Sequence, residues 1–158
     1  MATKRSGYPT AFIADRAFDL LEERFPARTK DAKLVMARVR VHESEGREER
    51  GVELLQELLA RDVTGRTRHD ATFMLLRLLV DTGADLAEVE AAYQAFGELQ
   101  PGDGEKRRAL YLVALASYLA GDYSKASAGL QEYESTHGSS PMVTKLLTLS
   151  RRKEEGAQ

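Results

Sequence analysis

The side chains able to hold a metal or move a proton are few in this chain. His42, His69 and His137 are its only histidines, and cysteine is missing altogether. The three histidines fall on three different elements, with no His-x-x-x-His or Glu-x-x-His spacing to set two ligands on one helical face. They read as surface or helix-end side chains, and no metal site is expected. Without cysteine there are no disulfides, thiolate nucleophiles or cysteine metal sites. Glu43, Glu45, Glu48 and Glu49 form an acidic cluster suited to a cation or a basic peptide, yet Arg47 and Arg50 interleave with them, so local pairs on a solvated face are expected instead. Lys106, Arg107 and Arg108 also read as a solvated face, with one alternative left open: Arg108 is placed to meet a partner. No Gly-x-x-x-x-Gly-Lys loop, Gly-x-Ser-x-Gly elbow or dinucleotide-type glycine run occurs, so phosphate binding and serine hydrolysis lack their scaffolds. Gly102-Asp103-Gly104 reads as an interhelical turn. The expectation is a protein that is not an enzyme and carries no cofactor. A catalyst built from scattered carboxylates would need Asp or Glu pairs converging in a pocket.

Composition narrows the class further. The 158 residues suit one domain, and 42% hydrophobic with 30% charged residues suits amphipathic helices with solvated faces. The 23 basic and 25 acidic side chains nearly cancel, so no global field favours nucleic acid or an anionic membrane. No apolar run approaches the ~20 residues of a membrane span, and Lys4 and Arg5 precede no signal-type apolar core. The chain also has no asparagine and hence no N-glycosylation acceptor. A cytoplasmic protein is expected.

Such residues must be positioned by helices, because the apolar spacing is helical throughout and no segment alternates as a half-buried strand does. After a flexible arm over 1–9, eight helices are predicted. The first spans 10–25, with Ile13, Ala17, Leu20 and Leu21 on one stripe, Phe18 and Phe25 beside it, and Pro26 as its stop. Three hairpins follow over 29–61, 67–99 and 105–135, broken at Gly46, Gly83 and Gly121, where glycine adopts the left-handed helix end. Asp85 is placed to cap the second helix of the middle hairpin. A capping helix over 140–154 ends in Arg151, Arg152 and Lys153. Residues 10–155 are expected to form one helical repeat domain.

The spacing makes this a repeat and not a chance bundle. The turn glycines lie 37 and 38 residues apart. Each second helix carries packing residues at i, i+4 and i+7: Gly51, Leu55 and Leu58; Val89, Tyr93 and Phe96; Ala126, Leu130 and Tyr133. A modest first residue lets the helices of a hairpin approach, and larger ones fill the gap to the next.

Residues 109–138 resemble a tetratricopeptide repeat: Leu110, Val113 and Ala114 in the first helix, the Gly121-Asp122-Tyr123 turn, then Ala126, Leu130 and Tyr133. The middle unit fits with a one-residue insertion after Gly83 and with Pro101 at the family's terminal proline. The first unit has Arg38 near a normally apolar place, and all units exceed the family's period of about 34. The resemblance implies an all-α array of helical hairpins. Within that superfamily, 50–59 and the stretch from Arg107 through Tyr111, Tyr118, Tyr123 and Ala126 to 152–156 are similar to the family of mitochondrial fission protein one, small tail-anchored fission adaptors. That likeness implies two repeats and a membrane tail, whereas this sequence carries a further hairpin between Asp62 and Asp103 and lacks the tail. With such a tail beyond this sequence, it implies a place on the cytosolic face of mitochondria or peroxisomes. Repeats that grip a C-terminal carboxylate in chaperone cofactors do so with paired asparagines, which this chain lacks, so an apolar or helical ligand is expected.

In stacked hairpins the first helix of each pair lines a concave groove. With the glycines as register marks, Met36, Arg40, Phe73, Arg77, Arg108, Tyr111, Leu115, Tyr118 and Leu119 are placed there. Aromatic and aliphatic anchors supply area, and arginines take carboxylates. Leu115, Tyr118 or Leu119 is alternatively buried by the last helix. Tyr8 and Pro9 are candidates to fold back over the groove. The functional expectation is an adaptor or scaffold that binds a protein partner, with a three-repeat chaperone for an exported or assembling client as the alternative.

Overall fold

The computed structural model describes residues 9–28 and 30–156. Among them are eight helices and no strand: α1 (Pro9–Arg24), α2 (Ala32–Ser44), α3 (Glu48–Leu59), α4 (Gly65–Thr82), α5 (Leu86–Glu98), α6 (Asp103–Leu119), α7 (Tyr123–His137) and α8 (Pro141–Gly156). The expected all-α array of helical hairpins is what forms. Of the expected arm, 1–8 including Tyr8 lie outside the described residues, while Pro9 opens α1, a position that tolerates its missing N–H. The chain divides into two compact units, to Ala71 and from Thr72, with the boundary inside α4.

The three register glycines form one kind of turn. Gly46, Gly83 and Gly121 have φ of 71°, 68° and 82°. In each turn the glycine N–H bonds the carbonyl three residues back, and the next residue's N–H reaches the carbonyl five back: Arg47 to His42, Ala84 to Leu79 and Asp122 to Ser117, each at 2.9 Å. This pattern satisfies the last carbonyls of a helix and requires a left-handed residue at its centre. Asp122 then caps α7 by accepting from the Lys125 N–H at 3.0 Å. Asp85 stands at the cap position of α5, but its side chain makes no capping hydrogen bond.

In the first unit, α2 and α3 pack as a hairpin and α1 lies on α2. The hairpin buries Val35, Val39, Leu54, Leu55 and Leu58. Arg38 explains its own unusual place. Its guanidinium donates to Glu22 at 3.1 Å, lies 3.6 Å from Asp19 and sits over the Phe18 ring, so a cation holds α1 where an apolar residue is the usual solution. Phe18 and Leu21 turn with it toward Leu34 and Val35 around a small cavity of about 150 Å³. The other edge of the expected α1 stripe faces outward, with Ile13 65% and Leu20 39% exposed.

The second unit packs α5 on α6, α6 on α7, and α8 on α7 and α6. Phe73 of α4 meets Phe96 of α5 with ring centroids 5.2 Å apart. A Cβ built on Gly129 of α7 would come within 3.3 Å of the Ala114 Cβ, so α6 and α7 approach as closely as small residues allow. Val143 and Leu147 of α8 close over Ala114 and Leu130. A Lys125–Glu90 ion pair ties α7 to α5.

Candidate functional site

The face of α6 turned away from the core is the most complete of the expected surfaces. Asp103 and Glu105 occupy its first turn, and the Glu105 carboxylate accepts the Gly102 N–H at 3.1 Å, which suits the positive end of a helix. Ala109, Leu110, Ala114, Ala116 and Ser117 are buried. The opposite stripe runs at i, i+4, i+7 and i+11 through Arg108, Leu112, Leu115 and Leu119. Arg108 is exposed, Leu112 and Leu115 are half-buried, and Leu119 is 63% exposed. The stripe thus begins with a cation and ends with an uncovered leucine. Leu112 was not among the expected residues, although its spacing from Arg108 and Leu115 carries the signal that would have found it.

The tyrosines beside this stripe are tied into the fold. The Tyr111 hydroxyl donates to the Met142 sulfur at 2.9 Å, and its ring meets Tyr133 edge-on at 6.4 Å. Tyr118 packs edge-on against Tyr123 at 5.5 Å and so braces the α6–α7 turn. The last helix therefore reaches the Tyr111 end of α6, while Leu119 stays open.

The other expected groove residues divide between the units. Phe73 and Arg77 in the second are half-buried. In the first, Arg40 is exposed, but Met36 is buried at 9% exposure. Met36 therefore packs inward. His42 also departs from expectation: it is 3% exposed, in the last turn of α2. His69 is half-buried with Nδ1 3.5 Å from Asp70, and His137 ends α7 with its ring 5.6 Å from that of Tyr133. Among the described residues no group of three or more His, Cys, Asp or Glu side chains is arranged to hold a metal. In the acidic cluster Arg47 pairs with Glu45, and Arg50 pairs with Glu53 one turn on. The Glu53 hydrogen bond holds the Arg50 pKa above its ordinary value against the opposing effect of burial. Of the cluster's carboxylates Glu45 thus has an interleaved arginine, while the partner of Arg50 lies outside the cluster.

No helix among the described residues is long and apolar enough to cross a membrane. No protein-family model, curated protein or solved structure matches this chain.

Proposed function

We propose that this protein is a non-catalytic adaptor of tetratricopeptide-like build, and that the α6 stripe of its second unit receives the apolar face of a partner helix or peptide. The observation that carries this reading is Leu119, a large apolar side chain 63% exposed at the end of a stripe continuous with Leu115 and Leu112. Apolar anchors at helical spacing are the means by which a helix surface takes a partner helix, and each leucine fully covered contributes about 1.5–3 kcal/mol. Arg108 at the other end favours a partner with a carboxylate there, adding orientation more than affinity. A fission-type adaptor at the cytosolic face of mitochondria or peroxisomes is the specific form supported by the resemblance over 50–59 and 107–156.

Photo-crosslinking in cells tests the surface. A benzoylphenylalanine replacing Leu115 or Leu119 is expected to yield one discrete protein adduct that Arg108→Glu diminishes, while the same group at exposed Gln131 of α7 yields none. An adduct formed only from position 131 would overturn the assignment. The captured protein separates the two forms of the reading: a long-lived organelle-surface partner indicates an adaptor, and a newly made client indicates a chaperone.

A further inference from the structure

The outward face of α1 is used by neither the first hairpin nor the α6 stripe. Ile13, Ala17 and Leu20 recur there at i, i+4 and i+7, opposite the Phe18 and Glu22 that meet Arg38 of α2. All three are exposed, Ile13 at 65% and Leu20 at 39%. Arg24, also exposed, continues the stripe by one turn. A solvated helix face is ordinarily charged or polar, whereas the centre of this one is apolar.

The charges beside the stripe identify what covers it. Asp19 and Glu22 are committed to Arg38 on the α2 side. Arg16 and Glu23 lie two turns apart on one flank of the stripe, both exposed, and neither is in an ion pair among the described residues. In an antiparallel pair of like helices, each flank faces the same flank of the other copy. A twofold axis midway between Ala17 and Leu20 sets each Leu20 on the partner's Ala17, and each Ile13 on the methylene stem of the partner's Arg24. The same axis brings Arg16 to the partner's Glu23 and Glu23 to the partner's Arg16. One helix thus carries both halves of its own charge complement. A parallel pair would instead set Arg16 against the partner's Leu21, an apolar residue.

We propose that α1 is a self-association surface, on which a second copy of this chain packs antiparallel with each Arg16 meeting the partner's Glu23. The apolar stripe supplies the affinity, and the charges set direction and register. One pair of short helices buries less than the ~1,200 Å² at the low end of stable interfaces, so the dimer is reversible, with Kd on the order of 100 µM. The face is separate from the α6 stripe and does not depend on that assignment.

The test is sedimentation equilibrium of the full-length chain at low salt, over a range of about 10 µM to 1 mM that brackets this Kd. A monomer–dimer equilibrium is expected. Leu20→Lys is expected to weaken it more than about tenfold and Leu119→Lys to leave it unchanged, both variants being as helical as the parent by circular dichroism. Arg16→Glu and Glu23→Arg are each expected to weaken it about fivefold, because like charges then meet at both ends of the pair. An equimolar mixture of these two variants, and the double variant carrying both changes, are expected to recover to within about twofold of the parent, which loss of folding would not allow. A chain monomeric throughout, association indifferent to Leu20→Lys, or failure of both the mixture and the double variant to recover would each overturn the proposal. Association lost in Leu119→Lys but kept in Leu20→Lys would place the contact on α6 and overturn it equally.

Discussion

Arg38 shows how one side chain settles what a sequence pattern leaves undecided. Standing near a normally apolar place, it reads as a blemish in the first repeat, yet its bonds to Glu22 and Asp19 and its contact with Phe18 dock α1 on α2. Burial of Met36 and His42 is likewise invisible along the chain, because α2 has apolar residues on more than one face and a histidine one turn from a helix end suits either environment. At the same scale, Tyr93 is the side chain with a legible titration. Burial, with the nearby Glu132 carboxylate adding to it, raises its phenol above the ordinary value. Folding therefore favours the protonated phenol, and the associated stability is intact below about pH 10 and lost as pH rises from there through the folded pKa. Spectrophotometric titration is expected to show a late-ionising phenol that Tyr93→Phe removes, with a flatter alkaline loss of urea resistance in the variant. An unchanged profile in the variant would refute the assignment.

At the scale of the element, the helices and their turns were legible because both signals are local. Helical spacing needs only neighbouring residues, and the left-handed glycines at 46, 83 and 121 each complete a pair of hydrogen bonds within one turn. Nothing lies within 4 Å of a Cβ built on any of the three, so Gly46→Ala, Gly83→Ala and Gly121→Ala test conformation alone. Each is expected to cost about 1 kcal/mol in urea unfolding. The end of α5 supplies the converse. Gln100 has φ of 53°, a strained value for a residue with a Cβ, where the sequence shows only the stop at Pro101. Gln100→Gly is expected to stabilise by about 0.5–1 kcal/mol, and a loss of stability would show that its side chain has a compensating role. Three losses and one gain at these four positions isolate the helix-end conformation from packing.

At the scale of the whole molecule, the eight helices of the described residues divide into two compact units, with the boundary inside α4. In the second unit α8 closes the cluster of Ala114 and Leu130 with Val143 and Leu147. Leu147→Ala is therefore expected to cost about 2–4 kcal/mol, a large share of the ~5–15 kcal/mol that holds a domain together. Its urea midpoint should fall accordingly, and a change below about 0.5 kcal/mol would mean α8 is not the structural cover described. The sequence by itself determined the helical class, the eight elements, the turns between them and the packing triplets of the second helices, since each depends on residues near one another along the chain. Tertiary structure decided which edge of α1 packs on α2, that Met36 and His42 face inward, and that Met142 claims Tyr111 while Leu119 stays open. These are properties of neighbours brought together by folding: an amphipathic spacing shows that a helix has a face to bury, but only the helices packed against it decide how wide that face is and where it ends.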